Sequence, residues 1–178
     1  MESGTQSSKA CQGFTLVELL IIIGIFTVLA AVAIPAFSSW APNFRLNAAA
    51  RDLVSNLQKV KMEAVRRNAN VVLSFSPQAY VPEGKVGSYQ IFVDDGAGGG
   101  NAGNFVKDGG EVVILQATMP DNVSLYSAVF TGSTTAVGFN SRGLPASNRT
   151  GDIQLKNNNS RAYRVTLGPA GNIVLTKL

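Results

Sequence analysis

The sequence contains no histidine and only one cysteine, Cys11. Histidine and cysteine are the usual ligands of zinc and copper, and they complete serine–histidine and cysteine–histidine nucleophile pairs. The S-x-x-K arrangement of other serine nucleophiles is also absent. The composition therefore predicts that the chain is not an enzyme, and no residue pattern calls for a cofactor or a metal ion.

Charge is scarce near the amino terminus, where a long apolar segment follows Glu18. The next charged residue is Arg45, so residues 19–44, 26 in all, carry no charge. A helix rises ~1.5 Å per residue, which makes this run long enough to cross the ~30 Å hydrocarbon core of a bilayer. A carboxylate just inside such a segment costs several kcal/mol to bury. We therefore expect a membrane anchor in which Glu18 has a positively charged partner.

A chain cut just before Phe14 would supply that partner as a new terminal amine. The stretch GFTLVELLIIIGIFTVLAAVAIPAF, which starts at Gly13, closely resembles the class III signal of type IV prepilins and type II secretion pseudopilins. Gly13 matches the glycine before the cut, Phe14 the residue that becomes N-methylated, Glu18 the glutamate of the fifth mature position, and Pro35 the helix-bending proline. The resemblance implies cleavage by a membrane prepilin peptidase, which would also remove Cys11.

The same resemblance implies a location and a set of partners. The precursor would be a single-pass protein of the bacterial inner membrane, with its amino terminus in the cytoplasm and its C-terminal domain in the periplasm, before it enters a periplasmic or surface filament. The implied partners are the prepilin peptidase, other major and minor pilins or pseudopilins, the inner-membrane assembly platform, and lipid around residues 14–42. In the filament, the Phe14 amine would pair with Glu18 of a neighbouring subunit.

Beyond the anchor, the helix is predicted to continue to Asn68 with one apolar face. Pro35 and Pro42 each lack an amide proton, so the helix should bend or loosen at both. Arg66 and Arg67 suit the negative end of a helix, and Asn68 can take the left-handed cap conformation. Apolar residues recur at alternating steps of four and three, as in a helix that packs on a core: Leu46, Ala50, Leu53, Leu57, Val60 and Ala64.

After Asn70 the pattern changes to short runs rich in β-branched, leucine and aromatic residues, separated by glycine, proline, asparagine and aspartate. These runs predict strands at Val71–Ser76, Ser88–Asp94, Glu111–Gln116, Val123–Tyr126, Ala136–Asn140, Asp152–Lys156, Ala162–Leu167 and Ile173–Thr176. The predicted fold is α+β, a long N-terminal helix packed on an antiparallel β domain of two small sheets. We divide the chain into a leader (1–13), a transmembrane half-helix (14–42) and a periplasmic globular domain (43–178), the last containing helix 43–68 and β domain 70–178.

Two later stretches resemble minor pseudopilins of the GspH/FimT type. The first, YQIFVDDGAGGGNAGNFVKDGGEVVIL, contains a strand, a glycine- and asparagine-rich excursion that forms a long loop, and a second strand. The second, VGFNSRGLPASNRTGDIQLKNNNSRAYRVTLGPAGNIVLTKL, is similar to the C-terminal end of that group. The resemblance implies a minor subunit that supports protein secretion or filament initiation. Whether it serves a type II secretion system or a type IV pilus stays open.

Basic residues near the C-terminus raise an alternative, a FimT-like pilus-tip subunit that binds DNA for natural transformation. The matching turn here reads Gly171-Asn172-Ile173-Val174 and lacks the arginine that follows the glycine in that branch. Phosphate contacts need cations and no particular base sequence. The candidate DNA contacts are Arg142, Arg149, Lys156, Arg161, Arg164 and Lys177.

The glycine-rich excursion contains a formal match to G-x-G-x-x-G at residues 98–103. A dinucleotide site needs a helix starting at that loop, but a polar, glycine-broken segment follows, so a flexible hairpin loop is predicted. Four carboxylates flank or lie in the excursion, and they could also converge on a cation such as calcium. We predict turn-forming and solvated roles for them: Asp94, Asp95, Asp108 and Glu111.

Overall fold

The computed structural model describes residues 14–82 and 85–178, so the predicted leader, including Gly13, lies outside the described residues. One long helix, α1 (Leu16–Arg67), precedes all the strands. Within the described residues, eight strands follow it: β1 (Asn70–Ser76), β2 (Ser88–Asp94), β3 (Val113–Thr118), β4 (Val123–Phe130), β5 (Ala136–Phe139), β6 (Gly151–Asn157), β7 (Ala162–Leu167) and β8 (Ile173–Lys177). The predicted α+β class and its eight strands are confirmed.

The chain divides into two compact units, one ending at Ser39 and the other running from Trp40 to Leu178. In the first unit, α1 presents large apolar side chains that the protein leaves uncovered. In the described part of the chain, α1 is the one helix long and apolar enough to cross a membrane. Its helical assignment runs through Pro35 and Pro42 without a break, and the predicted bend at these residues stays a prediction.

In the second unit, α1 buries the apolar face that its periodicity predicts. The buried residues of α1 are Pro42, Leu46, Ala49, Ala50, Leu53, Leu57, Val60 and Ala64. The helix ends at Arg67, and Asn68 takes the left-handed conformation with φ of 52°. The predicted cap is therefore confirmed.

The strands form two four-stranded antiparallel sheets. Sheet 1 has the order β3-β2-β1-β5 and sheet 2 the order β4-β6-β7-β8. Two strands, β3 and β4, differ from the predicted bounds by more than one residue at an end, whereas β1, β5, β6 and β8 differ by a single residue at one or both ends. β3 starts at Val113 because the preceding Glu111 turns inward to hold a loop, and β4 reaches Phe130 through a register shift between Leu125 and Ser127 that breaks the alternating pattern.

One apolar cluster joins α1 to both sheets. It includes Leu57 of α1, Leu73 and Ile91 of sheet 1, and Leu125 and Ile153 of sheet 2, each at most 1% exposed. Such burial of apolar side chains is the main source of stability in a domain of this size.

Sheet 1 has a second covered face, opposite α1. There Val72 and Phe92 pack against Phe105 of the β2–β3 loop and Ala146 of the β5–β6 connection. Because residues alternate faces along a strand, these side chains point away from the helix side. The β2–β3 loop is therefore a layer of the fold.

Candidate functional site

The start of α1 is fixed by a reciprocal pair of contacts between Thr15 and Glu18. The Glu18 amide donates to Thr15 Oγ1 at 3.2 Å, and the Thr15 amide and hydroxyl each lie 3.4 Å from Glu18 Oε2. This is the capping box T-x-x-E, in which both side chains satisfy amide groups that a helix start leaves unpaired. The sequence interpretation assigned Glu18 only a charge role and missed Thr15, although the spacing of residues 15–18 carries the signal.

Glu18 stands among exposed apolar residues at this end of the helix. Phe14 is 80% exposed and Leu16 74% exposed, and Pro35 lies further along the same uncovered half of α1. In residues 14–82 and 85–178, no lysine or arginine forms an ion pair with Glu18. The contacts to Thr15 come from neutral donors, so they leave the negative charge of Glu18 without a counter-ion within the described chain.

The glycine-rich loop between β2 and β3 is organised by two buried carboxylates. Asp94 accepts the Gly103 amide at 2.6 Å and the Phe105 amide at 2.9 Å. Glu111 accepts the amides of Gly96 and Asp108, each at 3.1 Å. Asp94 is 1% exposed and Glu111 is 4% exposed. Both carboxylates therefore close turns by accepting backbone N–H groups.

The other two carboxylates also bind loop donors. Asp108 accepts the Asn101 amide and the Asn104 side-chain amide, the latter at 2.8 Å, and Asp95 accepts the Ala97 amide at 3.1 Å. Among the residues that the structure describes, no three metal-ligating side chains gather into a cation site. The contacts agree with the predicted turn-forming role, but the predicted solvated role is wrong for Asp94 and Glu111, because both side chains are buried.

Two passes of the loop backbone meet at its glycines. A Cβ atom on Gly98 would lie 2.5 Å from the Gly110 nitrogen, and one on Gly109 would lie 2.5 Å from the Gly100 nitrogen. No side chain fits at these distances, so this close approach accounts for both glycines. Of the glycines in the G-x-G-x-x-G match, packing therefore accounts for Gly98, whereas Gly103 has a positive φ of 79°.

Four of the six basic candidates lie at one end of sheet 2. Lys156 of β6 is in register with Ala162, next to Arg161 in the β6–β7 turn, and its Nζ lies 4.8 Å from the centroid of the Tyr80 ring. Arg164 of β7 pairs with Gln154 and Thr176. Its Nε is buried and has no hydrogen-bond partner in the described chain.

Lys177 completes this group at the β8 edge, whereas the remaining two basic candidates lie apart from it. Lys177 pairs with Tyr163, on the face of sheet 2 that carries the core residues. Arg142 is exposed in the turn after β5, where its amide binds Asn140 Oδ1 at 2.9 Å. Arg149 packs on Phe105, with its guanidinium carbon 3.6 Å from the ring centroid. The six residues therefore do not form one surface.

The Glu63 carboxyl and the Tyr89 hydroxyl of the second unit have shifted pKa values. Hydrogen bonds from Arg66 and then Arg67 lower the pKa of Glu63 to about 2, from an ordinary value of 4.5. Burial raises the pKa of the Tyr89 hydroxyl, and the hydrogen bond that it accepts from Asn56 opposes that shift. The Glu63 contacts lie within α1, whereas the Tyr89 contact joins β2 to α1, and both lie outside the amino-terminal segment.

Two family models and several known proteins are similar to this chain. The family model of the type II transport protein GspH matches residues 49–171, and that of the prokaryotic N-terminal methylation motif matches residues 8–34. Pilin-like protein PilA1 of Thermus thermophilus is 39% identical over 87 residues, covering 48% of this chain and 50% of that protein. A fimbrial protein of Pseudomonas aeruginosa is 34% identical over 70 residues, covering 39% and 45%. The chain thus spans about half the length of these relatives.

Two solved structures are also similar. The type IV minor pilin FimU of Pseudomonas aeruginosa superposes with a TM-score of 0.49 at 18% identity, covering 75% of this chain and 90% of that one. The minor pseudopilin EpsH from the type 2 secretion system of Vibrio cholerae gives 0.47 at 12% identity, covering 75% and 97%. Because the GspH model matches more than half of the sequence, this chain belongs to the GspH family of type IV pilin-like minor pseudopilins.

Proposed function

We propose that this chain is a structural subunit, a minor pseudopilin or pilin that a prepilin peptidase cleaves after Gly13 and methylates at Phe14. It then assembles with other pilins or pseudopilins into the filament of a type II secretion system or a type IV pilus. The observation that carries this proposal is the methylation motif over residues 8–34, which runs directly into the uncovered apolar half of α1. Such a half-helix needs either lipid or other apolar helices around it.

Before assembly, residues 14–42 lie in the inner membrane, with the leader in the cytoplasm and residues 43–178 in the periplasm. Cleavage gives Phe14 a free amine. In the filament, that amine pairs with the Glu18 carboxylate of a neighbouring subunit, and each charge offsets the desolvation cost of the other. Pro35 lets the apolar half-helix bend as it moves from lipid into the filament core.

Two substitutions of Glu18, by glutamine and by alanine, distinguish the role of its charge from its role in the capping box. Glutamine at the third helical position can still complete a capping box, whereas alanine cannot. Glu18→Gln should therefore keep the helix start and membrane insertion, yet lose incorporation into filaments, as should Glu18→Ala. Sheared-filament immunoblots, with membrane fractions as the control, measure this. Normal incorporation of Glu18→Gln would refute the charge pair.

Processing has its own test, which is independent of assembly. Mass spectrometry of protein from native membranes should show a chain starting at N-methylated Phe14, and Gly13→Leu should leave residues 1–13 attached. An unprocessed wild-type chain would overturn the proposal.

The effect of deleting the gene on protein secretion and on surface pili distinguishes a type II secretion system from a type IV pilus. The GspH description of the matched family favours the type II secretion pseudopilus, although the relatives described as pilin-like and fimbrial come from the pilus side. Deleting the gene should abolish protein secretion and leave surface pili if the secretion pseudopilus is correct. Loss of pili with normal secretion would assign the subunit to the pilus.

DNA binding is a second candidate function, favoured by the grouping of Lys156, Arg161 and Arg164 at one end of sheet 2. The full chain in detergent would be tested by gel shift with duplex DNA across a salt series. A double Arg161→Ala, Arg164→Ala variant should weaken binding and flatten its salt dependence, whereas Arg142→Ala, in a separate turn, should change it little. If the wild-type chain shows no salt-sensitive binding to duplex DNA, the DNA-binding function is refuted.

A further inference from the structure

A polar cleft of about 470 Å³ opens beside the outer face of sheet 1, on the side away from α1. Its walls are the β2–β3 loop, around Phe105 and Lys107, and the turn between β4 and β5. Most of its lining side chains offer hydroxyl or amide groups, namely Ser74, Gln90, Asn104, Ser133, Thr134 and Thr135. Arg149 and Lys107 are its two charged residues, and both are cations.

Arg149 is held rigidly in the wall of this polar cleft. Its guanidinium stacks 3.6 Å from the centroid of Phe105, a side chain that is itself 5% exposed. Its Nη1 donates to the Ala136 carbonyl at 3.2 Å and approaches Thr134 Oγ1 at 3.4 Å. Contacts on the ring face and on one nitrogen fix the plane of the guanidinium, so little side-chain entropy is left to lose on binding.

This fixed, half-buried cation has no counter-ion in the described chain. No ion pair to Arg149 occurs in residues 14–82 and 85–178, and its Nε and Nη2 bind no acceptor there. The carboxylates of the adjacent loop are turned to other donors, since Asp94, Asp108 and Glu111 accept amide N–H groups. Partly buried charges are ordinarily paired, so the free side of Arg149 is available to an external anion.

We propose that the polar cleft binds a carboxylate carried by an acidic peptide segment of a partner protein. A planar carboxylate can accept hydrogen bonds from both free donor groups of the Arg149 guanidinium, at Nε and Nη2. Lys107 adds a second positive charge, and the hydroxyl groups of the cleft can donate to the remaining lone pairs of the carboxylate. An extended nucleic acid fits less well, because two cations neutralise few phosphates and the same loop carries Asp95 and Asp108. The inference adds a partner chemistry to the proposed function and does not depend on filament assembly.

The test uses the full chain in detergent micelles and the peptide Ac-Gly-Gly-Glu-Gly-Gly-NH2, with its glutamine analogue as the uncharged control. NMR would follow the Arg149 Nε–H and Phe105 amide signals during titration. The glutamate peptide should shift both signals in a saturable manner, and the glutamine peptide should not. Arg149→Gln should weaken binding roughly tenfold, and Arg149→Lys nearly as much because the fork is lost.

Arg142→Gln is the matched control, since it removes the same charge from an exposed turn outside the cleft, and it should leave the affinity within about twofold. Thermal unfolding of each variant checks its fold. If Arg149→Gln is unfolded, the peptide affinity of Lys107→Gln, a change at an exposed residue of the cleft, tests the proposal in its place. The proposal is overturned if the glutamate peptide shifts no cleft signal, or if the cleft variants bind it as the wild type does. A response to inorganic phosphate or duplex DNA without one to the peptide would also overturn it.

Discussion

At the scale of single residues, the two ends of α1 are closed by different chemistry. At the start, Thr15 and Glu18 satisfy each other's amide groups without a formal ion pair. At the end, Glu63 accepts hydrogen bonds from Arg66 Nη2 at 2.7 Å and Arg67 Nε at 2.8 Å, which brings two cations to the negative pole of the helix. The Glu18 carboxylate thus has no counter-ion in the described chain, whereas the Glu63 carboxylate is paired with two cations.

The contacts of Glu63 predict a pH-dependent contribution to stability. Because its pKa is lowered from 4.5 to about 2 in the folded chain, the contribution is complete above pH 4.5 and is lost as the pH falls toward 2. Glu63→Gln should therefore lower the melting temperature slightly at pH 7, and the difference from wild type should shrink by pH 3. Thermal unfolding followed by circular dichroism at both pH values measures this. An equal difference at both would show that the carboxylate charge contributes nothing.

At the scale of elements, the β2–β3 loop acts as a covering layer for sheet 1. It carries Phe105 onto Val72 and Phe92, and the backbone around Phe105 is held by Asp94. A loop of this glycine content has much conformational entropy to lose on folding. The paired amide acceptors, Asp94 and Glu111, are therefore what makes a defined loop possible here.

Asp94→Ala should destabilise the chain by about 1–3 kcal/mol, since it leaves the buried Phe105 amide without an acceptor and also removes the acceptor of the Gly103 amide. Urea unfolding of the full chain in a mild detergent, followed by circular dichroism, measures the loss. Asp121→Ala is the matched control, because Asp121 is exposed and its ion pair with Lys85 is long, at 3.9 Å. Equal stability of the Asp94 and Asp121 variants would contradict the structural role of Asp94.

At the scale of the whole molecule, the chain consists of two units that differ in whether their apolar side chains are exposed or buried. The unit that ends at Ser39 exposes apolar helix surface, whereas the unit from Trp40 onward buries its own core. Every buried residue of α1 lies in the second unit, from Pro42 to Ala64. The second unit therefore contains the contacts that it needs to fold.

A chain that starts at Trp40 should be soluble without detergent and should unfold cooperatively on heating. A chain that starts at Arg51 loses Leu46, Ala49 and Ala50 from the core, and this control should be unfolded or aggregated. Size-exclusion chromatography and a thermal scan by circular dichroism distinguish the two. Aggregation of the longer fragment would show that the second unit depends on the first.

Local patterns were enough to predict much of this architecture. The apolar steps of four and three in α1 and the β-branched runs after Asn70 depend on neighbouring residues alone, so the helix face and all eight strands could be found from them. The bounds of β3 and β4 were less accurate, because Glu111 leaves the strand to bind loop amides and a register shift interrupts β4 near Tyr126. Neither effect has a periodic signature.

The sequence by itself determined the long apolar segment, the spacing of Gly13, Phe14, Glu18 and Pro35, and the order of one helix followed by strands. Spacing along the chain is sufficient for each of these. Only the tertiary structure decided that the basic residues separate and that Arg149 faces a polar cleft while stacked on Phe105. Those outcomes depend on contacts between segments far apart in sequence, and the pairing of two such segments leaves no trace in the composition or periodicity of either.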